Sequence, residues 1–194
     1  MGCDYSTNLK DIVVKEGRLF KFCKVRVGGV VCPTGQRKRM DLQEVDVGGH
    51  KTIIMIWDKI LGEGATDMAF LRRFYSEVTA VIIDIDTCKE LKQSTVDQIQ
   101  DEFDLMAKMV GSNIPPVYIF AHTQFNTNLG MQQQNLIKID DLCNSNNWNR
   151  YMMDESDKES IKIKLMANEL YTRGISPKKM RSGKIKLIRT RSIV

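Results

Sequence analysis

The sequence predicts an α/β domain with a mostly parallel sheet, and three stretches carry that expectation. Val78-Thr79-Ala80-Val81-Ile82-Ile83 is apolar throughout and bounded by Asp84 and Asp86, the pattern of a central strand covered on both faces. Residues 90–110 place Leu91, Thr95, Ile99, Phe103, Met106 and Val110 three or four apart, which makes one face of an amphipathic helix. Pro115-Pro116 then punctuates, and Val117-Tyr118-Ile119-Phe120 reads as a second short buried strand. Strand, long helix, strand is a βαβ crossover, which implies a parallel pair. Val81 and Ile83 are expected to be fully buried, with Ile119 in the neighbouring strand.

The remaining elements follow in order. The first 35 residues show no clear period, because short apolar pieces are interrupted by Gly17 and Gly28-Gly29. Met40, Leu42 and Val45 lead to the turn signal Asp46-Val47-Gly48-Gly49-His50. The β-rich run Thr52-Ile53-Ile54-Met55-Ile56-Trp57 follows and ends at Asp58. Two such runs around a glycine turn predict a hairpin. Gly62-Glu63-Gly64-Ala65 is a loop, and a short helix is expected around Met68 to Tyr75. Residues 126–149 are rich in Asn and Gln, with one amphipathic fragment near Leu136 to Leu142. Tyr151-Met152-Met153 is a candidate last strand. Ile161 to Leu165 alternates like a strand, but Asp157 and Glu159 in front and Arg173-Gly174 behind are helix-like ends, so 157–171 is read as a helix.

Composition bounds the function classes. The chain has 194 residues, 42% apolar and 27% charged, which fits one globular domain and excludes a disordered or collagen-like one. No apolar run approaches the ~18 residues of a membrane span, and the first residues have no secretory pattern. Cys3, Cys23, Cys32, Cys88 and Cys143 are scattered with no CxxC, so reduced thiols are expected, with neither a disulfide framework nor a zinc site. The net charge of +5 is unevenly spread. Residues 173–194 hold eight basic side chains and no acid, which leaves 21 basic against 24 acidic residues in 1–172, a charge of −3. The expected organisation is a segment 1–9, a domain 10–172 and a basic tail 173–194, whose bland reading is a solvated end.

Several motifs, taken together, resemble the small GTPases of the Ras superfamily, closest in pattern to Rab and Rab-like proteins. Pro33-Thr34-Gly35 is similar to switch I, and Trp57-Asp58 follows Thr34 after 22 intervening residues, close to the Rab spacing. Glu44 to Asp58 resembles the Rab hairpin, and Phe74-Tyr75 with Val78 to Asp86 resembles the end of switch II and its next strand. Ala121-His122-Thr123-Gln124 stands where the guanine-reading motif belongs, and Glu155-Ser156-Asp157-Lys158 resembles the last motif before the final helix. The likeness covers roughly residues 10–172. It implies a three-layer P-loop-NTPase-like fold with a mostly parallel sheet and an antiparallel hairpin strand. The nucleotide-binding positions it implies are Gly17, Arg18, Thr34, Asp58, Gly62, His122, Gln124, Ser156 and Lys158, with Thr34 the magnesium threonine.

The departures set the expected mechanism. A phosphate loop needs GxxxxGK[ST], in which backbone N–H groups and the lysine hold phosphates and the hydroxyl holds Mg²⁺. The string GK[ST] does not occur. The loop's place is taken by Ile12 to Arg18, with Lys15 for the first glycine and Glu16 repelling phosphate. Leu19 to Cys23 then stands where the family continues with leucine and aromatics. Asp58 to Gly62 is DxxxG, one residue longer than the family's DxxG, and Glu63 stands where a catalytic glutamine is expected. Gln124 replaces the aspartate that reads guanine by a charge-assisted pair.

No catalytic residue, metal site or cofactor is therefore expected. The expected function is a pseudo-GTPase adaptor that binds protein partners, not nucleic acid, in membrane or ciliary trafficking. The alternatives are a GTP-binding and hydrolysing switch with an unusual site, using GTP or GDP and Mg²⁺, or a sequence from which the phosphate loop has been skipped. Met1-Gly2-Cys3 with Ser6 fits the N-myristoylation pattern, and Cys3 is a palmitoylation candidate. One acyl chain holds a membrane only marginally, and the basic tail is the candidate second attachment. No cysteine stands in Ser192-Ile193-Val194 for Rab-style prenylation. The localisation expected is cytoplasmic, either plain or peripheral at membranes or the cilium.

Overall fold

The structure is a computed structural model, and it describes residues 13–14, 17–28, 40–64, 66–123, 128–154, 158–180 and 183–184. Its elements are β1 (Val13–Val14), β2 (Gly17–Val27), β3 (Met40–Val47), β4 (His50–Ile60), α1 (Met68–Tyr75), β5 (Ala80–Asp86), α2 (Gln93–Val110) and β6 (Val117–His122). They continue with α3 (Leu129–Asn146), β7 (Asn149–Met153), α4 (Glu159–Thr172), β8 (Lys178–Met180) and β9 (Gly183–Lys184). The main sheet runs β3-β4-β2-β5-β6-β7, with β8 also paired to β2. β3 is antiparallel to β4, and β4, β2, β5, β6 and β7 are parallel neighbours.

The strand alternation sends successive residues to opposite layers. Cys23, Val25, Val27, Val81, Ile83, Ile85, Val117, Ile119 and Ala121 pack on one side, against Leu71, Phe74 and Tyr75 of α1, Ile99 and Met106 of α2, and Ile139 and Leu142 of α3. Phe20, Phe22, Ile54, Ile56, Ala80, Ile82, Tyr118 and Phe120 pack on the other, against Ile163, Met166, Ala167 and Leu170 of α4. Val81, Ile83 and Ile119 are buried as expected. The β5–α2–β6 crossover is parallel, with Val81 opposite Val117.

The hairpin is found at β3–β4, with Val47 opposite His50 and both turn glycines at positive φ, 59° and 77°. That is the conformation of a two-residue type I′ turn, which glycine adopts at no steric cost.

Four expectations need correction. Gly17 to Cys23 is not part of a stretch without a period, since Gly17–Val27 is the central strand of the sheet. Its apolar alternation is masked by Lys21, Lys24 and Arg26, whose charges are satisfied in place. Lys21 Nζ, for example, donates to the carbonyls of Arg73 (2.9 Å) and Ser76 (2.7 Å). The Asn/Gln-rich stretch is not a fragment but an 18-residue helix, α3. Its buried face is partly polar, which breaks the apolar period: Asn135 donates to the carbonyls of Thr87 (2.9 Å) and Lys89 (2.8 Å) and accepts from Leu91 N (3.0 Å). The final segment does not leave the sheet at 173, because Lys178–Met180 pairs with Gly17–Leu19. Nor is it wholly a solvated end, because Gly183–Lys184 pairs with Val13–Val14.

Candidate functional site

Open α/β sheets bind ligands outside the carboxyl ends of their parallel strands. In this chain those ends carry charge on the face that α4 covers. The alternation that points Phe20 and Phe22 at α4 continues to Lys24 and Arg26. Ile54 and Ile56 lead to Asp58, Ala80 and Ile82 to Asp84, and Tyr118 and Phe120 to His122. The first residue of α4, Glu159, closes the group from above the sheet.

The charges are matched within the chain. Lys24 Nζ lies 3.0 Å from Asp84 and 2.8 Å from Glu159. His122 Nε2 contacts the other oxygen of Asp84. Arg26 reaches Asp58 Oδ2 through Nε and Nη2, each at 2.7 Å. Lys24, Asp58 and Asp84 are buried. Burial opposes the ionised form of Asp84, but the His122 hydrogen bond and the Lys24 charge outweigh it and hold the carboxyl below its ordinary value. Burial likewise opposes the Lys24 ammonium, and Asp84 and Glu159 raise it above its ordinary value.

A second charged group lies on the opposite face. Lys59 Nζ is 2.7 Å from each oxygen of Glu102 and donates to the Glu63 carbonyl at 3.2 Å. Tyr75 Oη donates to Glu102, and burial first, then the Glu102 charge, push its ionisation far up. Cys23 lies on the same face. Its Sγ donates to the Phe74 carbonyl, and burial raises the thiol to about 12, which leaves it inert.

The predicted positions are only partly brought together. Asp58 and His122 both stand at the carboxyl end of the sheet, one against Arg26 and the other against Asp84. Gly62 is in the turn after β4 at φ 78°. Glu63 accepts from Ile60 N at 3.0 Å through its side chain, so it is turned back on its own strand end. Lys158 is exposed, just before α4. Gly17 and Arg18 are at the amino end of β2, where Arg18 is opposite Thr52, far along the strand from Asp58. Thr34, Gln124, Ser156, Gly2 and Cys3, with Lys15 and Glu16, lie outside the described residues.

The sequence reading missed Lys24 and Arg26 as partners of Asp84 and Asp58. Two basic residues two apart inside an apolar run were the available signal.

The described residues fit a magnesium–nucleotide group poorly. The carboxylate expected near the metal is held by a guanidinium, and the buried amine is held by two carboxylates. Among the described residues no group of three or more His, Cys, Asp or Glu could hold a metal ion. No helix among them is long and apolar enough to cross a membrane. Comparison with known proteins finds no matching family model and no matching curated protein.

Proposed function

We propose that this chain is a Rab-like small-GTPase scaffold that has lost its nucleotide chemistry and acts as an adaptor for protein partners in membrane or ciliary trafficking. The order of elements supports the scaffold: an edge hairpin next to a parallel run whose later strands alternate with helices. Only eleven residues, 29–39, lie between Gly28 and Met40. An eight-position phosphate loop and an ordinary helix of about eleven residues do not fit in that length.

The Arg26–Asp58 pair carries the loss of chemistry. A protein cation occupies the carboxylate that the family turns toward magnesium, so the neutralisation is built into the chain. Function then rests on surface contacts. Ile161 and Leu165, one turn apart on α4, are each about half exposed (53% and 52%) and suit a protein partner.

The test is nucleotide content and turnover. Acid release from the purified protein is expected to yield no guanine nucleotide, and single-turnover incubation with GTP and Mg²⁺ no hydrolysis above buffer. Stoichiometric bound nucleotide, or hydrolysis that Asp58→Ala abolishes, would overturn the reading in favour of a GTP-dependent switch.

A further inference from the structure

β8 leaves a strand edge open. β4 holds one edge of β2 at Arg18 and Leu19. β8 pairs with the same two residues, so it lies on the other edge, in the lane that β5 takes from Phe22 onward. On that edge the Lys21 carbonyl accepts from Thr79 N at 2.7 Å, and Lys21 N donates to Thr79 Oγ1 at 3.2 Å. Main-chain groups alternate between the two edges of a strand. Leu19 and Gly17 therefore turn theirs the same way as Lys21 and spend them on Lys178 and Met180. The N–H and C=O of Lys179 then point to the far edge of β8. No strand among the described residues pairs with that edge.

Beside β8 runs a groove of about 610 Å³. Its opposite wall is Ile114 with Pro115-Pro116, which stand ahead of β6 as β8 stands ahead of β5. Proline has no N–H to donate, and the Pro116 carbonyl is already taken by Val81 N at 3.0 Å. This wall therefore cannot pair with β8, and Val78 and Ile175 line the space between them. The rim is basic. Lys178 and Lys179 are exposed, and half-buried Arg18 stands directly opposite Lys179. Like charges facing each other across an antiparallel pair repel. Glu77, which lines the groove, is 3.4 Å from Lys178, but both side chains are largely in solvent, at 74% and 59%, where an ion pair is weak.

We propose that this groove binds an extended acidic peptide of a partner protein, which adds to β8 as a further strand. The inference goes beyond the scaffold reading and stands whether or not nucleotide binds. Main-chain bonds to Lys179 hold the peptide, and its side chains alternate between the two faces of the sheet. Lys179 shares the face of Arg18, which α4 covers, so acids at every second position meet Lys179 and offset its repulsion from Arg18. The residues between them point to the face of Lys178, Tyr75 and Val78, where apolar side chains enter the groove. A second copy of this chain fits less well, because it would bring another basic β8 against this one.

The experiment is fluorescence-anisotropy titration of the purified full chain into labelled synthetic nonapeptides. One probe alternates valine with glutamate, and a second carries lysine for each glutamate. Saturable binding is expected for the acidic peptide alone. Its glutamates are the residues opposite Lys179, so N-methylation of the glutamates should abolish binding and N-methylation of the valines should not. Lys179→Gln removes only the charge and should weaken binding about two- to five-fold. Lys179→Pro also removes the outward N–H, which an edge strand tolerates, and should weaken it by roughly ten-fold more. No saturable binding of the acidic peptide, equal affinity for the lysine peptide, or equal loss from both methylation patterns would overturn the proposal. So would a dimer of the wild-type chain in sedimentation equilibrium that Lys179→Pro dissociates, since the edge would then serve a second copy. The methylated peptides decide the matter on the wild-type protein even if a variant fails to fold.

Discussion

Arg26 and Asp58, on neighbouring parallel strands, are joined through two guanidinium nitrogens to a single carboxylate oxygen, each at 2.7 Å. The carboxylate is 5% exposed and the guanidinium 20%. Removing the base leaves a buried negative charge with much less compensation, whereas removing both leaves an apolar contact. Arg26→Met is expected to cost about 2–3 kcal/mol of unfolding free energy. Adding Asp58→Leu should recover part of that loss. Urea denaturation of the two single variants and the double variant gives the coupling. Additive losses would mean that the pair is not a unit.

Asp84 and Lys24 make stability depend on pH at both extremes. The folded Asp84 carboxyl lies below its unfolded value. Its contribution is therefore present above the unfolded value of about 3.9 and is lost as pH falls through the folded one. The folded Lys24 ammonium lies above its unfolded value. Its contribution is complete below the unfolded value of about 10.4 and is lost as pH rises through the folded one. A plateau between those limits is expected in urea midpoints, with Asp84→Asn reducing the fall at the acid end. An acid limb as steep in that variant as in wild type would remove Asp84 from the account.

The hairpin turn is fixed by α4 as well as by its glycines. A Cβ on Gly48 would come within 2.2 Å of the Tyr171 ring, while one on Gly49 would meet nothing within 4 Å. Both positions have positive φ, so each alanine carries a backbone cost of about 1–2 kcal/mol. Gly48→Ala alone adds the clash with Tyr171. Gly48→Ala is expected to melt lower than Gly49→Ala, and Tyr171→Ala in the same chain should close most of that gap. Equal melting of the two glycine variants would show that the ring moves aside freely.

Legibility in the sequence followed the burial of each element. β5 was readable because both its faces are apolar. The hairpin was readable from Gly48-Gly49, and α2 from a clean period of three and four. β2 was not, although it is the strand on which β4, β5 and β8 all converge. Four of its residues, Arg18, Lys21, Lys24 and Arg26, are buried or half-buried bases, and local hydropathy cannot see that Asp58, Asp84 and Glu159, distant in sequence, neutralise two of them. α3 was hidden by the same effect in neutral form, since Asn135 replaces an apolar core residue with three hydrogen bonds. The site inherited the error: Asp58 was found from its position after a strand, but its partner Arg26 sits on β2, and so does Lys24, which shares Asp84 with His122.

Lys59 and Glu102 offer the sharpest test of the charges inside this fold. Lys59 is fully buried at 0% exposure, and Glu102, with both oxygens within 2.7 Å, supplies its countercharge from α2. Glu102→Gln keeps the shape but leaves an ammonium without its carboxylate, an arrangement that costs about 3–5 kcal/mol near neutral pH. Lys59→Met with Glu102→Leu removes both charges and should recover most of the stability. Urea midpoints at neutral pH distinguish the outcomes, and a Glu102→Gln midpoint equal to that of the wild type would show that the ammonium is not held by this carboxylate.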